Sequence, residues 1–148
     1  MFKTSEQLLN KIAECRKAFA AKNDPKALKK SINICGGTGC MSAHSEEIKN
    51  KFEQLIKEAG VENRVSVNFV GCFGFCSQGP FVKVLPTNTL YRLVKPEDVY
   101  KIFEKDILGN EIVTELLYVD PNTKQAVIKQ DEIEFYKKQV RIALNGCG

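Results

Sequence analysis

Four cysteines stand in two spaced pairs, Cys35-x4-Cys40 and Cys72-x3-Cys76, with thirty-one residues between the pairs. Thiols in this pattern can form disulfides, hold zinc or hold an iron–sulfur cluster. Six of the ten glycines (Gly36, Gly37, Gly39, Gly71, Gly74, Gly79) lie in or beside the two cysteine segments. Glycine lets backbone approach closely and adopt positive φ, so its amide N–H groups can turn toward sulfur.

The spacing weighs these chemistries differently. Zinc knuckles have two to four residues between paired cysteines and most often read CxxC, so intervals of four and three fit poorly without excluding zinc. A [4Fe–4S] centre more often shows CxxCxxC runs, which are absent, and a Rieske site needs two histidines where this chain has only His44. The amino terminus, MFKTSEQLLNKIAEC, is charged and amphipathic and lacks the apolar run of a secretory signal. A reducing cytoplasm follows as the expected compartment, and there clustered cysteines more often bind metal or act in redox chemistry than form structural disulfides. Spacing therefore favours [2Fe–2S] over zinc and over disulfide or redox thiol chemistry, with all three open.

The elements that must position these cysteines can be read from periodicity. Thr4 with Gln7 forms a capping box, and Leu8, Ile12, Cys15 and Phe19 recur at the helical period over 4–21. Cys15 is thus expected as a small buried hydrophobe on that stripe. Asn23-Asp24-Pro25 stops the helix. Residues 31–35 alternate like a strand, and a helix over about 45–59 carries Ile48, Phe52, Leu55, Ile56 and Ala59 on one face, closed by Gly60. A second strand covers 65–70. Residues 81–85 and 89–94 flank Pro86-Thr87-Asn88 as a hairpin does, and Pro96-Glu97-Asp98 opens a helix bearing Val99, Ile102, Phe103 and Ile107. A strand–helix–strand crossover makes the first two strands parallel, so both cysteine loops leave from one sheet edge.

With 148 residues, 43% hydrophobic and 27% charged, the chain reads as one soluble globular domain with extensions. No apolar run approaches the ~20 residues of a membrane span. The net charge of +4 is too diffuse for a nucleic-acid footprint.

The stretches ICGGTGCMSAHSEEI and VGCFGFCSQGPFVKV resemble the thioredoxin-like [2Fe–2S] ferredoxins. The resemblance covers residues 30–108. It implies an α/β thioredoxin-like fold, a mixed four-stranded sheet with flanking helices, and Cys35, Cys40, Cys72 and Cys76 as ligands of a [2Fe–2S] cluster. It also sets Gly79-Pro80 where thioredoxin folds keep a conformationally special proline. Residues 111–148, with the phrase FYKKQVRIALNGCG, resemble the connector preceding the flavin- and NADH-binding core in the NADH-oxidising subunits of bacterial [FeFe]-hydrogenases and related complex I-like enzymes. That second resemblance implies three parts: an N-terminal helix and linker (1–29), a ferredoxin domain (30–108) and a connector (109–148). It implies a cytoplasmic electron-transfer domain with other redox subunits as partners, and FMN and NAD confined to a flavin domain lying outside these residues. Alone, the chain is not expected to oxidise NADH, and it can pair as a homodimer.

The remaining residues have plainer readings. Cys147 lacks a spaced partner and is expected not to bind metal. His44 is expected to be exposed or hydrogen-bonded, with tuning of the cluster as its functional alternative. Phe73 and Phe75 are expected to pack as core or to shield the cluster; Phe69, Phe81 and Val84 are core candidates. Two other classes stand against electron transfer: a zinc-stabilised interaction module, and a thiol–disulfide oxidoreductase, which normally wants a CxxC that this chain lacks.

Overall fold

Alternation of apolar and polar residues builds the central sheet of the computed structural model, which describes residues 4–22, 29–140 and 142. Strand β1 (Lys30–Cys35) points Ile32 and Ile34 into the interior at 0% exposure. It pairs in parallel with β2 (Val65–Val70), with Lys30 opposite Val65 and Cys35 opposite Val70. On its other side β1 runs antiparallel to β3 (Val82–Leu85), which pairs with β4 (Thr89–Tyr91), giving the order β2-β1-β3-β4. This is the mixed four-stranded sheet that the sequence implies. Gly79–Pro80 and Leu85–Pro86 are cis.

Four α-helices occur among the described residues before Gly109, of which the third and fourth pack on the core of the sheet. Helix α1 (Ser5–Lys22) starts with Thr4 Oγ1 accepting from Gln7 N at 3.3 Å. Helix α2 (Thr38–Ser42) is a single short turn, and α3 (Ser45–Glu58) buries Ile48, Phe52 and Ile56 against the sheet. Burial of a side chain such as Phe52 contributes about 2 to 3 kcal/mol. Helix α4 (Asp98–Ile102) continues as a π-helical turn over Phe103–Leu108, which brings Phe103 and Ile107 into the same core. At its end Gly109 is crowded: a Cβ there would lie 2.7 Å from Lys105 O.

Four expectations need correction. Cys15 is exposed, because the stripe it shares with Leu8 (45% exposed) and Ile12 (38%) faces solvent rather than the core. Phe69 is 39% exposed: it sits on edge strand β2, with the Lys49 ammonium 5.7 Å from its ring centroid, while Phe81 and Val84 are buried. The hairpin's second strand stops at Tyr91 rather than running to 94, since Leu93 takes φ 50° and its N–H donates to Gln78 O at 2.9 Å. Ala59, expected on the apolar face of α3, is exposed where the helix ends. Cys147 and the side chain of Phe19 lie outside the described residues.

Beyond Gly109 the chain folds back over the sheet's β4 side. A two-stranded ribbon of β5 (Tyr118–Val119) and β6 (Ala126–Val127) is followed by the short helix α5 (Glu134–Lys137). Arg92 N donates to Leu116 O and Leu90 N to Ile128 O, each at 2.9 Å, so this segment continues the hydrogen bonding of the β4 edge. Val113, Leu117, Ile133 and Tyr136 are buried. Among the described residues, no helix is long and apolar enough to cross a membrane.

Candidate metal centre

Parallel pairing of β1 and β2 delivers both cysteine loops to one edge of the sheet, because the carboxyl ends of parallel strands lie together. Cys35 ends β1, and its N–H donates to Phe81 O at 3.1 Å. The next N–H, of Gly36, donates to Val70 O at 2.9 Å, fixing the departure of the first loop against the end of β2. Buried Ser45, at the start of α3, donates from Oγ to Cys35 O at 2.8 Å and ties that helix to the same strand end. Cys40 sits within α2, not in open loop, and is 3% exposed. The sequence did not show α2, since Gly-Thr-Gly-Cys-Met-Ser has no helical period and poor helix formers.

The second loop leaves β2 through Gly71. Cys72 and Cys76 are exposed, with their Sγ atoms 3.9 Å apart. That is near the ~3.8 Å edge of a tetrahedron with ~2.3 Å metal–sulfur bonds. Gly74, at φ 83°, turns its N–H onto Cys72 Sγ at 3.3 Å, a bond that stabilises negative charge on sulfur. Cys76 opens a 3₁₀ turn (Cys76–Gln78) that leads to Gly79-Pro80.

Two glycines show how closely the loops approach. A Cβ on Gly37 would stand 3.1 Å from both Cβ and Sγ of Cys72 and 3.6 Å from Cys35 Sγ. One on Gly79 would stand 2.7 Å from Cys40 Sγ. Each loop thus approaches a cysteine of the other closely enough that an added Cβ would crowd it.

The thiols also sense one another. Burial pushes the Cys40 thiol up to about 12, helped by a hydrogen bond with Cys35 and by the charges of Cys35 and Cys72, while the Phe81 backbone opposes the shift. The Cys76 thiol is raised by its hydrogen bond with Cys72, by the charge there and, more weakly, by Cys35. Cys40 and Cys76, whose ionisation the neighbouring thiols disfavour, suit a positive centre that would relieve the repulsion. The four thiols group as Cys35 with Cys40 and Cys72 with Cys76. Two linked pairs of thiols can serve a two-iron cluster.

His44 starts α3 at φ 68° with its ring 70% exposed and Nδ1 3.7 Å from Glu47 Oε2, so the surface reading holds. Phe73, at 1% exposure, packs with Phe81 (centroids 5.6 Å apart) in the apolar cluster that also contains Cys35 and Cys40. Cys15 lies on α1, apart from this constellation.

A mixed sheet that gathers two cysteine pairs at one edge, in glycine-lined loops, is a scaffold on which paired thiols can hold a metal centre. The family model for thioredoxin-like [2Fe-2S] ferredoxin matches residues 5–106, and the chain belongs to that family. It is 40% identical over 77 residues to a curated [2Fe-2S] ferredoxin of Clostridium pasteurianum, covering 52% of this chain and 76% of that protein. A second curated [2Fe-2S] ferredoxin, from Aquifex aeolicus, is 34% identical over 79 residues, covering 53% of this chain and 71% of the other. The crystal structure of the wild-type thioredoxin-like [2Fe-2S] ferredoxin from Aquifex aeolicus superposes with a TM-score of 0.56 at 31% identity, over 61% of this chain and 96% of that one. The fold, the [2Fe–2S] cofactor and ferredoxin-like electron transfer expected from the cysteine stretches are thereby supported.

Proposed function

We propose that Cys35, Cys40, Cys72 and Cys76 hold the [2Fe–2S] cluster and that the chain passes single electrons as the ferredoxin-like domain of a multi-subunit NADH-linked hydrogenase or dehydrogenase. The observation that carries the ligand set is the meeting of the two cysteine pairs across Gly37, with no room there for a side chain. When bound, the cluster supplies a one-electron couple. The four thiols supply its charge-matched donors, Gly74 N–H sits on Cys72 Sγ to favour negative charge, and Phe73 and Phe81 keep the Cys35–Cys40 side dry. No proton-transferring base enters this reading.

The wider assembly rests on a different observation, the resemblance of residues 111–148 to the connector of NADH-oxidising hydrogenase subunits. In this reading 1–29 is a helix and linker, 30–108 the electron-carrying domain and 109–148 the connector. FMN and NAD bind elsewhere in a cytoplasmic assembly of redox subunits, and the free chain can pair as a homodimer. A zinc-stabilised module is disfavoured by the grouping of the thiols in two pairs, and thiol–disulfide exchange by the lack of CxxC.

Anaerobic reconstitution tests the ligand set. The expected product binds iron and sulfide in equal amounts, absorbs in the visible and gives a rhombic EPR signal when reduced. A colourless protein with stoichiometric zinc overturns it. For the assembly, NADH should reduce the reconstituted chain only when a flavin-containing NADH-oxidising subunit is added. Failure of every such subunit to do so, with the cluster intact, removes the hydrogenase context alone.

A further inference from the structure

Residues 107–140 lie beyond the stretch that the family model matches, yet part of them reaches the second cysteine loop. The hydrogen bonds along the β4 edge carry the segment across the sheet. Its helix α5 then lays the Phe135 ring on Phe75, with centroids 4.5 Å apart and planes at 16°. Phe75 stands between Cys72 and Cys76 in the sequence and is also flanked by Tyr118 (5.8 Å) and Tyr136 (6.4 Å). Ile133 and Tyr136 enter the same apolar cluster as Cys35, Cys40, Phe73 and Phe81.

A second link is polar. Arg92 Nη1 donates to Gln78 Oε1 at 2.8 Å, in the 3₁₀ turn that begins at Cys76. The same guanidinium donates from Nε to Leu117 O at 3.0 Å and lies 5.9 Å from the Tyr118 ring centroid. The turn bearing Cys76 is therefore held through ring stacking on one side and through Arg92 on the other, and both holds end in the segment after Leu116.

We propose that residues 116–137 form a strap that positions the Cys72–Cys76 loop and covers its Phe75 side, leaving the two thiols themselves exposed, with Phe135 as a positioning residue that lowers the reduction potential of the site. The inference rests on the ligand set proposed above. Reduction adds one negative charge to a site already surrounded by four thiolates. Water near that site stabilises the added charge and raises the potential, whereas a covering of rings does the opposite. Stacking of Phe135 also restricts Phe75, and through it the separation of Cys72 from Cys76. Phe135 is 36% exposed, so its substitution removes the stack without opening the core.

The test uses the full reconstituted chain with Phe135→Ala, Phe135→Tyr and Arg92→Ala. Midpoint potential is read by EPR-monitored redox titration, cluster retention by the rate of bleaching under chelator, and folding by far-UV circular dichroism. Phe135→Ala should raise the potential and bleach several-fold faster with an unchanged dichroism spectrum, and Phe135→Tyr should restore both. Arg92→Ala should bleach faster as well. Wild-type potential and wild-type bleaching in both alanine variants overturn the strap while leaving the ligand set standing. A wild-type chain that takes up no [2Fe–2S] cluster overturns the ligand set and the strap with it.

Discussion

Gly37 and Cys72 are packed so that a Cβ on the glycine would lie 3.1 Å from the cysteine's Sγ. They belong to different loops, thirty-five positions apart in the chain, and only the parallel pairing of β1 with β2 brings them together. Gly37 has φ −65° and ψ 149°, a conformation open to any residue. Its requirement is therefore space, not backbone freedom.

Gly37→Ala tests that distinction. The added methyl must push Cys72 Cβ and Sγ together by a few tenths of an ångström, away from the place they take beside Cys35 Sγ and Cys76 Sγ. Lower iron content after reconstitution and altered g values are the expected outcome. Gly39→Ala is the control, because a Cβ there meets nothing within 4 Å, and it should load as the wild type does. Equal loading of both variants would show that the loops do not close on each other.

Gly79→Ala should act more strongly. A Cβ at Gly79 would stand 2.7 Å from Cys40 Sγ, closer than atoms of this kind approach, and Cys40 is buried with little room to retreat. The Cys40 thiol or the Gly79 backbone must shift from its present position. Iron content below that of Gly37→Ala is the expected result, read on protein whose thermal melt confirms folding.

Serine substitutions separate the ligand set from the bystander. Cys72→Ser removes a thiolate that accepts from Gly74 N and lies beside Cys76, so the visible spectrum should change or vanish. Cys15 is exposed on α1, and Cys15→Ser should leave the spectrum as it is. Loss of the spectrum in the second variant, with the first unaffected, would reverse the assignment.

Much of this centre can be read in the sequence, and the reason is periodicity. The run 65–70 alternates and is β2; Ile48, Phe52 and Ile56 recur at the helical period and are the buried face of α3. From these two elements and one crossover, the shared exit edge of the cysteine loops follows. What stayed hidden has no period. Helix α2 is one turn built from poor helix formers around Cys40, held by the loop around it rather than by propensity. The strap is made of two-residue strands and single turns, whose only local mark is the turn composition of Asp120-Pro121-Asn122-Thr123, where Asp120 Oδ1 accepts from Asn122 N and Thr123 N. Cys15 misled for the opposite reason: helix α1 has a helical stripe, but amphipathic spacing reports a capacity to bury a face and does not supply the surface that buries it.

Tyr91 and Asp106 give the fold a pH-dependent lock. Tyr91 Oη donates to Asp106 Oδ2 at 2.6 Å and accepts from Val113 N at 3.3 Å, while Lys30 Nζ donates to the Asp106 backbone carbonyl. This joins β1, β4, the π-helical turn and the start of the C-terminal segment in one buried group. Burial, then the hydrogen bond to Asp106 and its charge, hold the Tyr91 hydroxyl far above the usual tyrosine range. A group whose pKa is raised on folding contributes its full stabilisation below its unfolded value, about 10 for tyrosine, and loses it as pH rises beyond that. Stability should therefore fall above about pH 10, where unfolded tyrosine ionises and Tyr91 in the fold does not. Tyr91→Phe takes the donor from Asp106 Oδ2, leaving Lys30 Nζ 3.5 Å from Oδ1, and should cost about 1 to 3 kcal/mol at pH 7. The same variant should lose part of the alkaline decline, since the group responsible is gone, while lysine titrations common to both proteins cancel in the comparison. Urea unfolding of wild type and variant between pH 7 and pH 11 checks both statements, and parallel curves across that range would show that Tyr91 does not carry the alkaline loss.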